Sequence, residues 1–234
     1  MTEFELLVDL HSKTWRQGPG SEADTLRALS LIQLPKDRPL AIADIGCGAG
    51  AQTLTLAAQL TGHITAVDLF PSFLEEVNRR VNEHDFSANV TTLNRSMEEL
   101  RFKPESLDIL WSEGAIYNMG FENGVKSWRD FLKPGGYLAV SEITWISNER
   151  PAEIEDFWTS EYPEIDTAAG KIDILEQNSF TLAGYFYLPV ENWISQYYDP
   201  LEAEFSNYLQ RHNHSDAAQE IVNLHQEEIA LYKK

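Results

Sequence analysis

Cysteine is almost absent. Cys47 is the only one among 234 residues, so no internal disulfide framework can form, and a reducing compartment suits the chain. Basic side chains are also scarce, with 18 against 37 acidic ones and a formal net charge of −19. Such a balance repels a phosphate backbone, and no stretch reads as a basic groove, so nucleic acid is not an expected partner. No run approaches the ~18 apolar residues of a membrane span. Glu3, Glu5 and Asp9 stand where a signal peptide would be basic, and the cytoplasm is the expected location. His212 and His214 lie close together, but no thiolate or third ligand accompanies them, so no metal site is expected. Homo-oligomerisation stays open.

What is present is a core. Hydrophobic residues make up 43% of the chain, enough for one large globular domain or a domain with a cap. The organising stretch is residues 40–50, L-A-I-A-D-I-G-C-G-A-G. Its apolar first half suits a strand buried on both faces of a parallel sheet. Gly46, Gly48 and Gly50 then make a tight turn, and A-Q-T-L-T-L-A-A-Q-L has helical character. Strand, glycine turn and helix form half of a nucleotide-binding unit, whose helix N-terminus attracts negative charge. Asp68 ends the second apolar run, at the spacing of about 20 residues where an acidic side chain meets a ribose. Gly46, Gly48 and Ala51 also satisfy G-x-G-x-x-A, so spacing alone keeps a nicotinamide dinucleotide open.

Taken in order, residues 3–15 place Phe4, Leu7, Val8, His11 and Trp15 on one helical face. Residues 16–20, R-Q-G-P-G, break that helix and could gate a site. Ser21 caps a second helix carrying Leu26, Leu29 and Ile32. Further strands are predicted at 64–67, 90–93, 107–111 and 137–143, with helices at 71–84 and 122–132 between them. That alternation predicts an α/β fold with a doubly wound, mostly parallel, Rossmann-like sheet. Residues 1–35 would form a helical cap or lid, and residues 36–234 the cofactor-binding domain, with helical additions at 144–180 and 190–234. A sixth strand is predicted at 181–188, and residues 191–234 show helical spacing throughout.

Five segments together resemble the class I S-adenosylmethionine-dependent methyltransferases: D-I-G-C-G-A-G, V-D-L-F, S-M-E-E-L-R-F, L-D-I-L-W-S-E-G-A-I-Y and L-K-P-G-G-Y-L-A-V-S-E. They follow the family's order across residues 40–143 and are similar to its small-molecule, quinone- and sterol-modifying branch. The resemblance implies S-adenosyl-L-methionine as cofactor and a small or lipid-like methyl acceptor. It implies that Asp44 and the turn of Gly46, Gly48 and Gly50 hold the methionine part, and that Asp68 binds the ribose with Leu69 beside the adenine. Ser96 and Met97 would meet the adenine edge, and Glu113 would border the methyl-transfer pocket. Ser96 departs from the acidic residue usual in the family. The family's sheet also ends in a seventh, antiparallel strand, for which residues 191–234 offer no candidate.

Methyl transfer needs positioning and exclusion of water more than a strong catalytic motif. Where the acceptor requires a general base, Glu113, Tyr117, Asn118 and His11 are the candidates. Tyr117 and Asn118 follow strand four, where ligands gather in open α/β sheets. His11 and Trp15 read instead as packing, and Cys47 as a small space-filler. The competing readings are an NAD-dependent oxidoreductase and a cofactor fold without activity. The intact glycine turn and Asp68 speak against the latter.

Overall fold

A computed structural model describes residues 2–234. They group into two compact units, residues 22–186 and residues 2–21 with 187–234.

The larger unit is built on a five-stranded sheet. Its strands are β1 (Leu40–Ile45), β2 (Gly62–Asp68), β3 (Val90–Asn94), β4 (Leu107–Glu113) and β5 (Leu132–Ser141), in the order β3-β2-β1-β4-β5. Every pairing is parallel. The apolar runs of β1 and β4 are buried almost throughout, as central strands covered on both faces should be. The order reverses between β1 and β4, and that switch point opens a crevice at the carboxyl ends of the strands.

Alternation along the strands sorts the core into two faces. Ile42, Ala66, Ile109 and Trp111 pack with Leu54, Leu56, Leu74 and Val77 of α3 (Ala51–Gln59) and α4 (Pro71–Glu83). α2 (Glu22–Ser30) joins this face through Ala28 and Leu29. Ala43, Ile45 and Leu110 pack on the other face with Phe121, Val125 and Trp128 of α5 (Phe121–Arg129). The unit also holds β6 (Thr144–Trp145), α6 (Ala152–Glu161), β7 (Asp166–Thr167) and α7 (Ala168–Gln177). β6 and β7 form a separate two-stranded sheet.

Two features of this unit differ from the expectations. Residues 133–136, between the predicted helix at 122–132 and the predicted strand at 137–143, lie inside β5, where pairing steps from Leu107↔Leu132 to Ile109↔Tyr137. The extra residues bulge out, and Gly135 takes φ +78°. Second, the main sheet has five strands rather than six: residues 181–188 carry no strand ladder. They pass along α2 instead, with the Arg27 guanidinium 4.2 Å from the Phe186 ring centre and Gly184 close against Leu31. Strand propensity reflects fit to a pleated, half-buried surface and forms no strand without a partner.

The smaller unit is helical: α1 (Glu3–His11), α8 (Val190–Trp193), a π-turn (Ile194–Tyr198), α9 (Asp199–Arg211) and α10 (Asp216–Tyr232). Thr2 and Glu5 form a reciprocal capping box at the start of α1. The helix ends at His11, well before the predicted break, and its buried stripe is Leu6 and Leu10. Phe4 and Trp15, which spacing places on the apolar helical face, are 54% and 56% exposed. The cause is the early end: Thr14 Oγ1 donates to the His11 carbonyl, turning the chain before Trp15 can extend the helical face.

Candidate active site

The glycine turn after β1 is drawn onto the end of β2 by its own backbone. The N–H groups of Gly46 and Cys47 both donate to the Val67 carbonyl, at 2.8 and 3.0 Å. Gly46, at φ +67°, could not carry a side chain, because a Cβ would lie 2.3 Å from that of Ala115. Gly50, at φ +84°, abuts Val77 in the same way. The fold itself therefore requires these two glycines, whatever approaches the turn.

Asp68 is nearly buried, and its two oxygens are held by different N–H groups. Oδ2 accepts from Gly48 at 2.9 Å, and Oδ1 accepts from Phe70, at the start of α4, at 3.0 Å. Burial pushes the carboxyl up, against the pull of these backbone donors. Asp44 is wholly buried at the end of β1. Its Oδ2 accepts from Thr53 Oγ1 at 2.5 Å, and its Oδ1 from Gln52 Nε2 at 3.3 Å. Burial, with the nearby charges of Glu113 and Asp68, drives its pKa up to about 7, although Thr53 and Gln52 oppose the shift.

Glu113 closes this group from the end of β4. Its Oε1 accepts from the Trp111 indole N–H at 2.9 Å and from Thr25 Oγ1 of α2 at 2.8 Å. Three carboxylates from three adjacent strands thus gather at one turn, where Asp44 and Asp68 accept from hydroxyl, amide and backbone N–H groups. Such a setting favours a cation and disfavours a phosphate.

The remaining candidates surround it. Leu69 is half exposed beside Asp68. Ser96 Oγ accepts from the Glu98 N–H, and the Met97 carbonyl accepts from Trp128 Nε1 at 3.2 Å. Tyr117 and Asn118 lie in a 3-10 turn, Ile116–Met119, directly after β4. Tyr117 is 43% exposed and packs edge-on against Tyr162, while Asn118 Nδ2 donates to the Ala115 carbonyl. His11 belongs to the helical unit. There His225 Nδ1 donates to the Ile221 carbonyl, and the Nε2 atoms of His11 and His225 share a hydrogen bond of 3.2 Å. Burial and His225 push the His11 pKa down to about 3.

Sequence reasoning missed Thr25, Gln52, Thr53 and a cluster at the end of β5. In that cluster Glu142 Oε1 meets Lys171 Nζ at 2.9 Å and accepts from Tyr162 Oη at 2.5 Å. Thr25, Gln52 and Thr53 carry no local pattern that could have flagged them. Glu142 did have a signal: it follows β5 as Glu113 follows the run of β4.

Residues 42–136 match a family model described as a methyltransferase domain. A probable cobalt-precorrin-6B C(15)-methyltransferase from Methanothermobacter thermautotrophicus is 27% identical over 125 residues, which cover 53% of this chain and 64% of that protein. The chain spans less than two thirds of the length of the curated relatives it matches. Among solved structures, YjhP from E. coli has a TM-score of 0.83 at 20% identity, covering 98% of this chain and 94% of that one. A methyltransferase from Geobacter sulfurreducens bound to S-adenosyl-L-homocysteine has a TM-score of 0.82 at 15% identity, covering 98% and 91%. These likenesses establish the Rossmann-like methyltransferase fold. Among the described residues, no helix is long and apolar enough to cross a membrane.

Proposed function

We propose that the chain, whose residues 42–136 match a methyltransferase domain model, is an S-adenosylmethionine-dependent enzyme that moves a methyl group onto a small-molecule or lipid-like acceptor. The observation that carries this reading is the convergence of Asp44, Asp68 and Glu113 on the glycine turn. The pyrophosphate of a dinucleotide would sit against the carboxyl groups of Asp44 and Asp68 there, whereas a ligand bearing an ammonium and a sulfonium would be attracted by them. No observation favours the nicotinamide alternative.

In this reading Asp68, its oxygens oriented by Gly48 and Phe70, accepts hydrogen bonds from the ribose hydroxyls. Asp44 and the N–H groups of the turn hold the amino-acid end, with Asp44 itself steadied by Thr53 and Gln52. Leu69 covers one face of the adenine. Ser96, which already accepts from Glu98, keeps its own proton to donate to a ring nitrogen, and Met97 borders the same edge. When bound, the cofactor supplies an activated methyl group and a neutral thioether leaving group. Glu113, locked by Thr25 and Trp111, borders the path of the methyl group, and Tyr117 and Asn118 face the acceptor at the mouth.

Calorimetric titration with S-adenosylhomocysteine and with NAD is the direct test. Binding of the first and not the second is expected, and the opposite result would overturn the proposal.

A further inference from the structure

Glu142 follows β5 on the face that carries Leu138 and Val140 and packs against α5 and α7. Its carboxylate is used unevenly. Oε1 accepts from Tyr162 Oη and pairs with Lys171 Nζ, which also donates to Tyr162 Oη at 2.9 Å. The Lys171 ammonium is further held 4.8 Å from the Phe121 ring centre and 4.7 Å from that of Tyr162. Oε2 is buried and has no partner. The two charged side chains are only 6% and 5% exposed, so bulk solvent does not bathe that oxygen.

A second orphan lies on the same face of the neighbouring strand. Ser112 Oγ is fully buried without a hydrogen bond, and Ser112 pairs in register with Val140, two residues before Glu142. Buried polar atoms are rarely left unmatched, and each costs about 1–3 kcal/mol when it is. Both lie at the carboxyl ends of adjacent strands, where ligands gather in open α/β sheets. Tyr117, 43% exposed, packs edge-on against Tyr162 of the same cluster.

We propose that Glu142 Oε2 and Ser112 Oγ anchor a hydrogen-bond-donating group of the methyl acceptor, so that the acceptor is an alcohol, a phenol or an amine. The inference rests on the methyl-transfer reading. Lys171 and Tyr162 are positioning residues: by occupying Oε1 they leave Oε2 as the one oxygen for the ligand. Ser112 can accept from the same donor or donate to a neighbouring oxygen. A hydrocarbon of the same shape would leave both atoms unpaired and is rejected for that reason.

The test uses the full chain saturated with S-adenosylhomocysteine. Phenol, cyclohexanol and cyclohexylamine are titrated by ligand-observed magnetic resonance against toluene and methylcyclohexane. The donor-bearing probes are expected to bind at least ten-fold more tightly than the hydrocarbons. E142Q, which puts an amide N–H where the donor must sit, should remove most of that difference without weakening S-adenosylhomocysteine. Ser112→Ala removes an atom that has no partner, so it keeps the test decisive if E142Q does not fold; a several-fold loss is expected. Equal binding of donors and hydrocarbons, binding of no probe, or affinities unchanged in both variants would overturn the anchor. An ordered water on Oε2 that persists in a crystal soaked with phenol would do the same. Failure of the wild-type chain to bind S-adenosylhomocysteine would overturn the methyl-transfer reading itself.

Discussion

The two ends of the central sheet treat a buried carboxylate in opposite ways. At the start of β4, Asp108 takes the Arg38 guanidinium at 2.5 and 3.1 Å, the Lys133 ammonium at 2.8 Å and the Ala41 N–H at 2.8 Å. Burial acts to raise its carboxyl, but these four contacts outweigh it and hold the group well below the usual range. At the other end, Asp44 has only a hydroxyl and an amide for company, with Glu113 and Asp68 nearby, and is driven up to about 7. One end satisfies its charge and staples β1 to β4. Among the described residues, the other gives Asp44 no cationic partner, only the hydrogen bonds of Thr53 and Gln52.

The pH dependence of stability should separate the two ends most strongly. The folded-state pKa of Asp44 lies above its ordinary 3.8, so the folded protein binds the extra proton between about pH 4 and 7. Stability without ligand should therefore fall as pH rises through that window, by up to roughly 1.4 kcal/mol per pH unit for this one group. Asp44→Asn should flatten the profile of thermal midpoint against pH, and an unchanged slope would show that Asp44 is not the source. Asp108 works with the opposite sign: its depressed pKa stabilises the fold above about pH 4, and that contribution is lost as pH falls.

Asp108→Ala should cost about 2–4 kcal/mol in denaturant unfolding, below the full range for a broken buried pair because Arg38 is 43% exposed. Cofactor affinity per folded molecule should stay the same, and a large loss there would break the division between the ends. Asp68→Ala should do the reverse, weakening S-adenosylhomocysteine by roughly 1.5–3 kcal/mol, the scale of hydrogen bonds to a charged group. Calorimetry showing undiminished affinity would remove Asp68 from the ribose role. The smallest effect is expected from Thr25→Val, which takes one donor from Glu113 and should cost about 1 kcal/mol in unfolding experiments.

The legibility of the molecule followed the same division between local and distant. The turn after β1, Asp68 and the end of β4 were readable because a parallel strand, a glycine turn and a following helix are consecutive in the chain. Residues 181–188 differ because Tyr185, Phe186 and Tyr187 have strand propensity whether or not a sheet edge receives them, and here Phe186 lies against Arg27 of α2. Trp15 was misplaced because helical spacing continues past His11 in the sequence, while the Thr14 hydroxyl ends the helix in fact.

By itself the sequence determined the alternation of buried strands and amphipathic helices, the glycine turn and the acidic residues at the strand ends. Periodicity and short-range turn chemistry are encoded within a dozen residues. Only the tertiary structure decided which carboxylate is neutralised and which is left unpaired. Arg38 and Lys133 reach Asp108 from opposite sides of it in the chain, whereas Asp44 meets Glu113 across adjacent strands. Coulomb interactions and desolvation depend on distance through space, and no spacing along the chain records that distance.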